Sequence, residues 1–584
     1  MRETNMKINF IKVSKLIWSI QPIYIIITII VILISSLYPT ISLLVMQTIL
    51  NSLQSSNIRI TELLVYVGIY ISLDLSQTVL IACIGYYTEK YKAVIDLHVK
   101  SEILKKASHL TLKDYENTET YNIIQRAQNE SDNKVTAYFN LVVSCFGVIV
   151  NVISFLILLF TFKGWLILFV IVIPIVKFYI QKEINMKQYK ILVSRTGEER
   201  KTWYYSYLMT NGNYTKEMCL YKLYGLFLNR FQCNKEKFIK QDMKILREST
   251  KKITVLSVIE QILDGCVFGY IVYNGILGNI LIGDVVTYTK VIIQTKSKIQ
   301  AELSSFAELE KQSLYLDQLF LLLDKEILNY ESGIKVQSID NIKVVDLKYR
   351  YKTQDKYVLN KINLELEKGK CYAILGKNGS GKTTLVKILM GFYDDYEGEI
   401  FINGINLRLI NKENYRDKIG ALFQDYGKYE ATIRENIAYG NLKSLNDDAI
   451  IHTIAEKLNL QSFILQQKAG IDTQLGYWFD DGINISEGQW QKIALSRAFI
   501  KDADMYILDE PNAALDAISE YYLAQLYKQV LKDKLGIIIA HRFSNFIHET
   551  DKIIIMENGQ IIETGKHSEL FNKDGVYKRL YELQ

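Results

Sequence analysis

Long apolar runs dominate the first half of the chain and vanish from the second. Between Leu16 and Ile58 no residue carries a charge, a stretch well beyond the roughly 20 apolar residues that cross a bilayer. Comparable segments recur near Ile20–Gln47, Leu63–Tyr87, Val135–Phe162, Gly164–Ile180, Ile253–Ile276 and Leu281–Ala301, and they predict six membrane-spanning helices. Only Lys163 separates the third from the fourth, so these two form a tight helical hairpin. Lys177, in the short fourth segment, is expected to snorkel toward the headgroups. A cleavable signal peptide does not fit Ile23–Leu37, because the run is too long and no small-residue cleavage site follows it.

Charge sets the predicted orientation. The loop between spans two and three carries Lys90, Lys92, Lys100, Lys105, Lys106, Lys113, Arg126 and Lys134, and the next inner loop adds Arg195, Arg200, Lys201, Lys216 and Arg230. The other short loops hold only Arg59 and Lys163, so both termini are expected in the cytosol. The two basic loops are too long for turns and predict helices that continue below the membrane.

A helical pattern continues through Phe306–Leu323 until Glu331-Ser332-Gly333 breaks it. Beyond Ile334 the pattern changes to short β-rich runs, Ile342–Leu347, Cys371–Leu375, Met505–Leu508, Gly536–Ala540 and Lys552–Met556, which alternate with helical stretches. That alternation predicts an α/β domain on a largely parallel sheet. The expected division is residues 1–330 for the membrane and 334–584 for a soluble domain, and a chain of 584 residues is too long for a single core.

Composition adds little to this picture. The net charge of +6 is mild for such length and suits a lipid surface better than nucleic acid, which is not expected as a partner. Cys83, Cys145, Cys219, Cys233, Cys266 and Cys371 show no metal-binding or disulfide spacing and read as small buried hydrophobes. The abundance of Ile, Lys, Asn and Tyr suggests a bacterial source.

The soluble half carries the chemistry. The strand Cys371–Leu375 leads into Gly376-Lys377-Asn378-Gly379-Ser380-Gly381-Lys382-Thr383-Thr384 and an apolar helix, which is the G-x-x-x-x-G-K-[ST] phosphate loop in its required context. Its backbone N–H groups would cradle phosphate, Lys382 would reach the β and γ phosphates of ATP, and the Thr383 hydroxyl would ligate Mg²⁺. A second hydrophobic run, Met505–Leu508, ends in Asp509 and Glu510. Asp509 suits the Mg²⁺ sphere and Glu510 a general base for the attacking water. The bland alternative is an acidic pair at a strand end.

The order of these pieces resembles a family. Phosphate loop, Gln424 in "LFQD", "ISEGQ" at Ile485–Gln489, "LDEP", Ala514-Leu515-Asp516 and His541 in "IAHR" follow one another as in ATP-binding-cassette (ABC) ATPases. Six preceding spans and "TIRENIAYG" at Thr432–Gly440 make the chain resemble a bacterial ABC exporter half-transporter. The resemblance implies six transmembrane helices followed by an α/β P-loop nucleotide-binding domain, the type IV exporter architecture. It also implies a homodimer, in which the signature turn of Ser486, Glu487, Gly488 and Gln489 closes over nucleotide held by the partner. Glu487 stands where the family has glycine, and a carboxylate there would repel phosphate unless it points away. Tyr351 is matched to the residue that stacks on adenine, Gln424 to the one that senses Mg²⁺ and water, His541 to a γ-phosphate contact and Asp516 to the loop joining the two sites. Coupling segments are implied near Leu112–Asn122 and Thr210–Leu220, and ATP-driven alternating access is the implied mechanism.

Cargo is read from the membrane half. Asp74, Glu260, Asp264 and Lys290, with Lys296 and Lys298, are charges inside predicted spans, where they line a cavity or pair with one another. "KDYENTETYNIIQRAQNES" (Lys113–Ser131), "ERKTWYYSYLMTNGNYTKEMCLYKL" (Glu199–Leu223) and "ISEGQWQKIALSRAF" resemble exporters of lanthipeptides, in the type without an N-terminal cysteine peptidase. Span one begins too early to leave room for one. The expected cargo is a modified ribosomal peptide moved across the bacterial cytoplasmic membrane, with a complex of modifying enzymes as a further partner. The alternatives are a multidrug or lipid exporter or flippase, a non-transporting ABC ATPase, and an ATP-gated regulator.

Overall fold

The structure, a computed structural model, describes the chain apart from residues 1, 55–58, 118–119, 121–122, 125–132, 326–331, 352–354, 513–516, 541–546 and 583–584. The residues divide into two compact units, Met1–His109 with Thr118–Glu326, and Leu110–Asn117 with Ile327–Gln584.

The first unit is helical. After Arg2–Ile20 come Pro22–Gln54, Ile60–Ser108, Lys134–Phe162, Trp165–Thr210, Leu223–Ile276 and Ile282–Leu323. Among the described residues, five helices are long and apolar enough to cross a membrane: Pro22–Gln54, Ile60–Ser108, Lys134–Thr161, Trp165–Gln188 and Leu223–Ile276. The segment expected as a sixth span lies in the continuous helix Ile282–Leu323, where Asp284, Lys290, Lys296 and Lys298 dilute its apolar character. Three helices far exceed their predicted spans. Ile60–Ser108 has 49 residues, Trp165–Thr210 has 46 and Leu223–Ile276 has 54, so at about 1.5 Å per residue each is more than twice the roughly 30 Å hydrocarbon thickness. The excess carries the basic residues of the inner loops.

Leu43, Phe155, Leu159, Leu166, Val170, Val267, Ile271, Val291 and Ile292 close the interior of this unit. Ile26, Ile30, Leu33 and Leu37 are exposed, as expected where lipid rather than water is the solvent. Lys177 departs from expectation. It is only 8% exposed and pairs with Glu260. A facing carboxylate and the Gln300 side chain, at 3.4 Å, make burial of the ammonium feasible.

The second unit contains two sheets. Strands β1 (Asn341–Tyr349), β2 (Leu359–Glu367), β4 (Glu397–Ile402) and β5 (Ile405–Asn406) form an antiparallel sheet in the order β2-β1-β4-β5. Strands β3 (Cys371–Leu375), β6 (Ile419–Leu422), β7 (Met505–Asp509), β8 (Leu535–Ile539), β9 (Lys552–Glu557) and β10 (Gln560–Gly565) form the other, ordered β10-β9-β3-β8-β7-β6. All its pairings are parallel except β9 with β10. The run Ile342–Leu347 therefore belongs to an antiparallel sheet, not to the parallel one. Its burial alternates along the strand, the mark of a sheet with one covered face, whereas β7 and β8 are buried at every position. Several apolar cores flank the parallel sheet. One gathers Ile374, Leu385, Ile388, Ile507 and Ile537 with the antiparallel sheet, another gathers Ile433, Ile454, Trp490, Ile493, Leu508 and Ile538, and a smaller one gathers Ala373, Leu375, Ile553, Ile555 and Tyr577.

Candidate nucleotide site

The carboxyl ends of the parallel strands carry the site, the position expected of open α/β sheets. From β3 the chain turns through Gly376, whose φ is +153° and whose added Cβ would lie 2.2 Å from the Met556 carbonyl oxygen. Gly381 has φ +97°, and a Cβ there would lie 2.8 Å from the Val358 carbonyl oxygen. Side chains are excluded at both, which leaves the loop open above the helix Lys382–Leu389. Gly379, at φ +79°, faces open space.

Lys382 is 4% exposed and folds back on its own loop, its Nζ donating to the carbonyls of Gly376 at 2.8 Å and Lys377 at 3.1 Å. Burial pulls its ammonium below the usual lysine range, against the raising effect of Asp509 and Glu510. Those two carbonyls are weak partners for a buried cation, and a phosphate would be a stronger one. Ser380 Oγ is buried without a hydrogen-bond partner. Lys377 and Asn378 are exposed at the loop's crest.

Asp509 ends β7 and accepts a hydrogen bond from the Thr383 hydroxyl at 3.2 Å. Desolvation pushes its carboxyl up to about 6. A buried carboxylate beside a hydroxyl is the hard-oxygen donor set that suits Mg²⁺, so these two residues fit the ion. Glu510 follows in the left-handed region at φ +50°, a strain of about 1 kcal/mol or more for a residue with a Cβ. Two bonds hold it there: its amide donates to the Ile539 carbonyl at 2.9 Å, and its carbonyl accepts from Gln491 Nε2 at 3.1 Å. Gln424 is exposed in the turn just past β6, the strand beside β7.

A family model described as ABC transporter matches residues 359–513. The chain is 33% identical over 558 residues to the subtilin transport ATP-binding protein SpaT of Bacillus subtilis, covering 94% of this chain and 90% of that one. It is 32% identical over 571 residues to the nisin transport ATP-binding protein NisT of Lactococcus lactis, covering 97% and 94%. The chain belongs to the ABC transporter family. A solved structure of a bacterial Atm1-family ABC exporter with ATP bound superposes with a TM-score of 0.78 at 19% identity, over 96% of this chain and 98% of that one. The protein is therefore an ABC exporter with the exporter fold, multi-pass in the membrane, whose ATP-binding domain makes it an ATPase coupled to transport.

The turn expected from the sequence to act as this exporter's signature starts the helix Glu487–Phe499, capped by Ser486. Ser486 Oγ accepts from the Gln489 amide at 3.3 Å and Gln489 Oε1 from the Ser486 amide at 2.9 Å, a reciprocal capping box. Gly488 is half-buried in the first turn. Glu487 turns to its own chain: Tyr426 Oη donates to its Oε1 at 2.7 Å and Lys428 Nζ to its Oε2 at 2.6 Å. Lys428 first, then Tyr426, hold that carboxyl below its usual range. The same helix reaches back with Arg497, whose guanidinium binds the Gly427 carbonyl at 2.6 Å, the Asn436 carbonyl at 3.1 Å and Asn436 Oδ1 at 2.7 Å, 4.6 Å from the Tyr429 ring centroid.

Tyr351 packs edge-on against Tyr349 and Tyr393, with ring centroids 5.2 and 6.1 Å away, and its hydroxyl lies 3.1 Å from Thr384 Oγ1. Tyr393 in turn donates to Glu116 Oε1 at 2.8 Å. Glu116 lies in the short helix Leu112–Glu116, part of the second unit, where Leu112 packs on the core and Lys113 pairs with Asp395. The other implied coupling segment folds as Gly212–Tyr214 and Thr215–Leu220. Asp516 and His541 lie outside the described residues.

In the membrane unit Glu260 pairs with Lys177 and Asp264 with Lys296. Asp74 accepts from Tyr38 Oη at 2.7 Å, and Lys290 and Lys298 are exposed. Sequence reasoning missed the partners Tyr426, Lys428, Tyr393 and Glu116. The one available signal was the placement of Tyr426 and Lys428 within four residues of Gln424.

Proposed function

We propose that the protein works as a homodimer that exports a peptide, a lanthipeptide or a related modified ribosomal product, across the bacterial cytoplasmic membrane by alternating access. The observation that carries this reading is the likeness to two lantibiotic transport proteins over nearly the whole chain, membrane half included. Six helices span the bilayer, with both termini and the ATPase domain in the cytosol, as the basic inner loops favour. Residues 1–330 form the transport domain and 334–584 the ATPase.

In this reading Gly376 to Thr384 bind the ATP phosphates, Lys382 exchanges its carbonyl partners for them, and Tyr351 receives the adenine. Thr383 and Asp509, with Gln424, hold Mg²⁺, which neutralises phosphate charge. Glu510 orients the attacking water and accepts its proton, and His541 contacts the γ phosphate. The turn of Ser486, Glu487, Gly488 and Gln489 closes over nucleotide bound by the partner subunit, with the Glu487 carboxylate turned away from it, and Asp516 lies between the two sites. Asp74, Glu260, Asp264 and Lys290 are cavity candidates, and acids among them favour cationic cargo. A complex of modifying enzymes delivers the peptide.

The test is ATPase activity of the protein in lipid nanodiscs, titrated with leader-bearing lanthipeptide precursors, matured peptides, lipids and cationic dyes. Saturable stimulation by a peptide is the expected result. Stimulation by dyes or lipids with peptides inert moves the protein to the multidrug or lipid class. Glu260→Gln and Asp264→Asn, leaving cationic-cargo export unchanged, would remove those acids from the cargo path.

A further inference from the structure

A carboxylate at the first position of the signature helix is an electrostatic contradiction. It suits the positive end of the helix, yet the backbone N–H groups there are what an incoming polyphosphate would use. The structure resolves the conflict with two residues from a distant part of the chain. Tyr426 and Lys428 take one carboxylate oxygen each, at 2.7 and 2.6 Å, and both follow Gln424 by no more than four residues. Arg497 grips the same segment at Gly427 from the far end of the helix, so the segment 426–428 is bracketed by one helix.

We propose that Tyr426 and Lys428 are positioning residues that hold the Glu487 carboxylate off the nucleotide-facing end of the signature turn and cancel its charge. The inference rests on the proposed role of that turn in closing over ATP. Freed, the carboxylate would swing across the first-turn amides and oppose a triphosphate. Held, it ties the turn to the segment that follows Gln424, so a shift of one moves the other.

The pair is partly exposed, with 46% of the Lys428 and 57% of the Glu487 side chain accessible. Ion pairs of that kind contribute little to stability, so their removal leaves the fold intact and the effect falls on nucleotide binding. One uncompensated negative charge within a Debye length of a polyphosphate weakens its binding by about five-fold at physiological salt.

The experiment is an ATP titration of the ATPase rate of the full-length protein in nanodiscs, with K428A, Y426F/K428A, E487Q, E487Q/K428A and K428R. K428A should raise KM for ATP about five-fold with kcat changed less than two-fold, more so with Y426F added, and the shift should shrink in high salt. K428R should restore KM. In the E487Q background, K428A should shift KM by less than about 1.5-fold, since the charge to be cancelled is gone. Equal KM shifts in both backgrounds, or no shift in either, would overturn the inference. E510Q run in parallel separates the two failures. If it abolishes hydrolysis while the Glu487–Lys428 coupling is absent, only the positioning role falls. If it hydrolyses ATP normally, the reading of the site falls and takes the inference with it.

Discussion

Removing Arg497 tests whether the signature helix is docked as the structure shows. The guanidinium makes three hydrogen bonds, to the carbonyls of Gly427 and Asn436 and to Asn436 Oδ1, and lies against Tyr429. Among the described residues no carboxylate pairs with it, so its loss strands three acceptors rather than a charge. At about 1 kcal/mol net per bond, with about 0.5–1 kcal/mol for the ring contact, Arg497→Ala should cost about 3–4 kcal/mol. Each 1.4 kcal/mol is about a factor of ten in an opening equilibrium. Hydrogen exchange at the amides of Trp490–Phe499 should therefore quicken by two to three decades, while strands β3 and β8 change less. Arg497→Lys keeps the charge but loses the planar fork, and about half of the protection should remain on a logarithmic scale. The measurement is exchange followed by mass spectrometry on the protein in nanodiscs. Less than a ten-fold change for Arg497→Ala, or full protection with Lys, would refute the docking described.

Other outcomes follow from the same geometry. Tyr351→Ala should weaken ATP binding by about 1–3 kcal/mol while leaving inorganic triphosphate unaffected, and Tyr351→Phe should retain most of the affinity, both read by nucleotide titration. Glu510→Gln should retain Mg·ATP and stop turnover, read as nucleotide co-purifying with the protein. Burial raises Asp509 to about 6, so in nucleotide-free protein its carboxyl is protonated below that pH. Apparent Mg²⁺ affinity should be flat above pH 6 and fall about ten-fold per unit below it. The linkage sign for stability is the reverse: the native state holds this proton and the unfolded chain, near 3.8, does not. Asp509 thus favours the folded metal-free protein at pH 4 and loses that contribution as pH rises to 6. Glu116→Gln should weaken the hold of Tyr393 and Lys387 on the Leu112–Glu116 helix, and trypsin should cut after Lys113 several-fold faster.

What could be read from the sequence was what is local. The phosphate loop needs a strand, a glycine-rich turn and a helix in immediate succession, and the structure has Cys371–Leu375, the loop and Lys382–Leu389 in that order. The long inner-loop helices were legible because basic, aperiodic turns of that length are rare. Sheet membership was not, since Ile342–Leu347 looks alike whether its neighbour runs parallel or antiparallel. The partners of charges were also hidden. Lys177 finds Glu260 83 residues away, and Glu487 finds Tyr426 and Lys428 at separations of 61 and 59. Pairings at such distance depend on tertiary geometry that no spacing rule encodes.

The eight residues Leu110–Asn117 fold with a unit that otherwise begins more than two hundred positions later. A cassette cut from its gene at the linker would leave this plug behind, with Leu112 gone from the core and Tyr393 facing water where Glu116 had been. Recombination between half-transporters is then constrained to carry a short donor insert along with the catalytic module. Supplying the octapeptide as a genetic fusion to the isolated ATPase offers a route to a soluble, complete module.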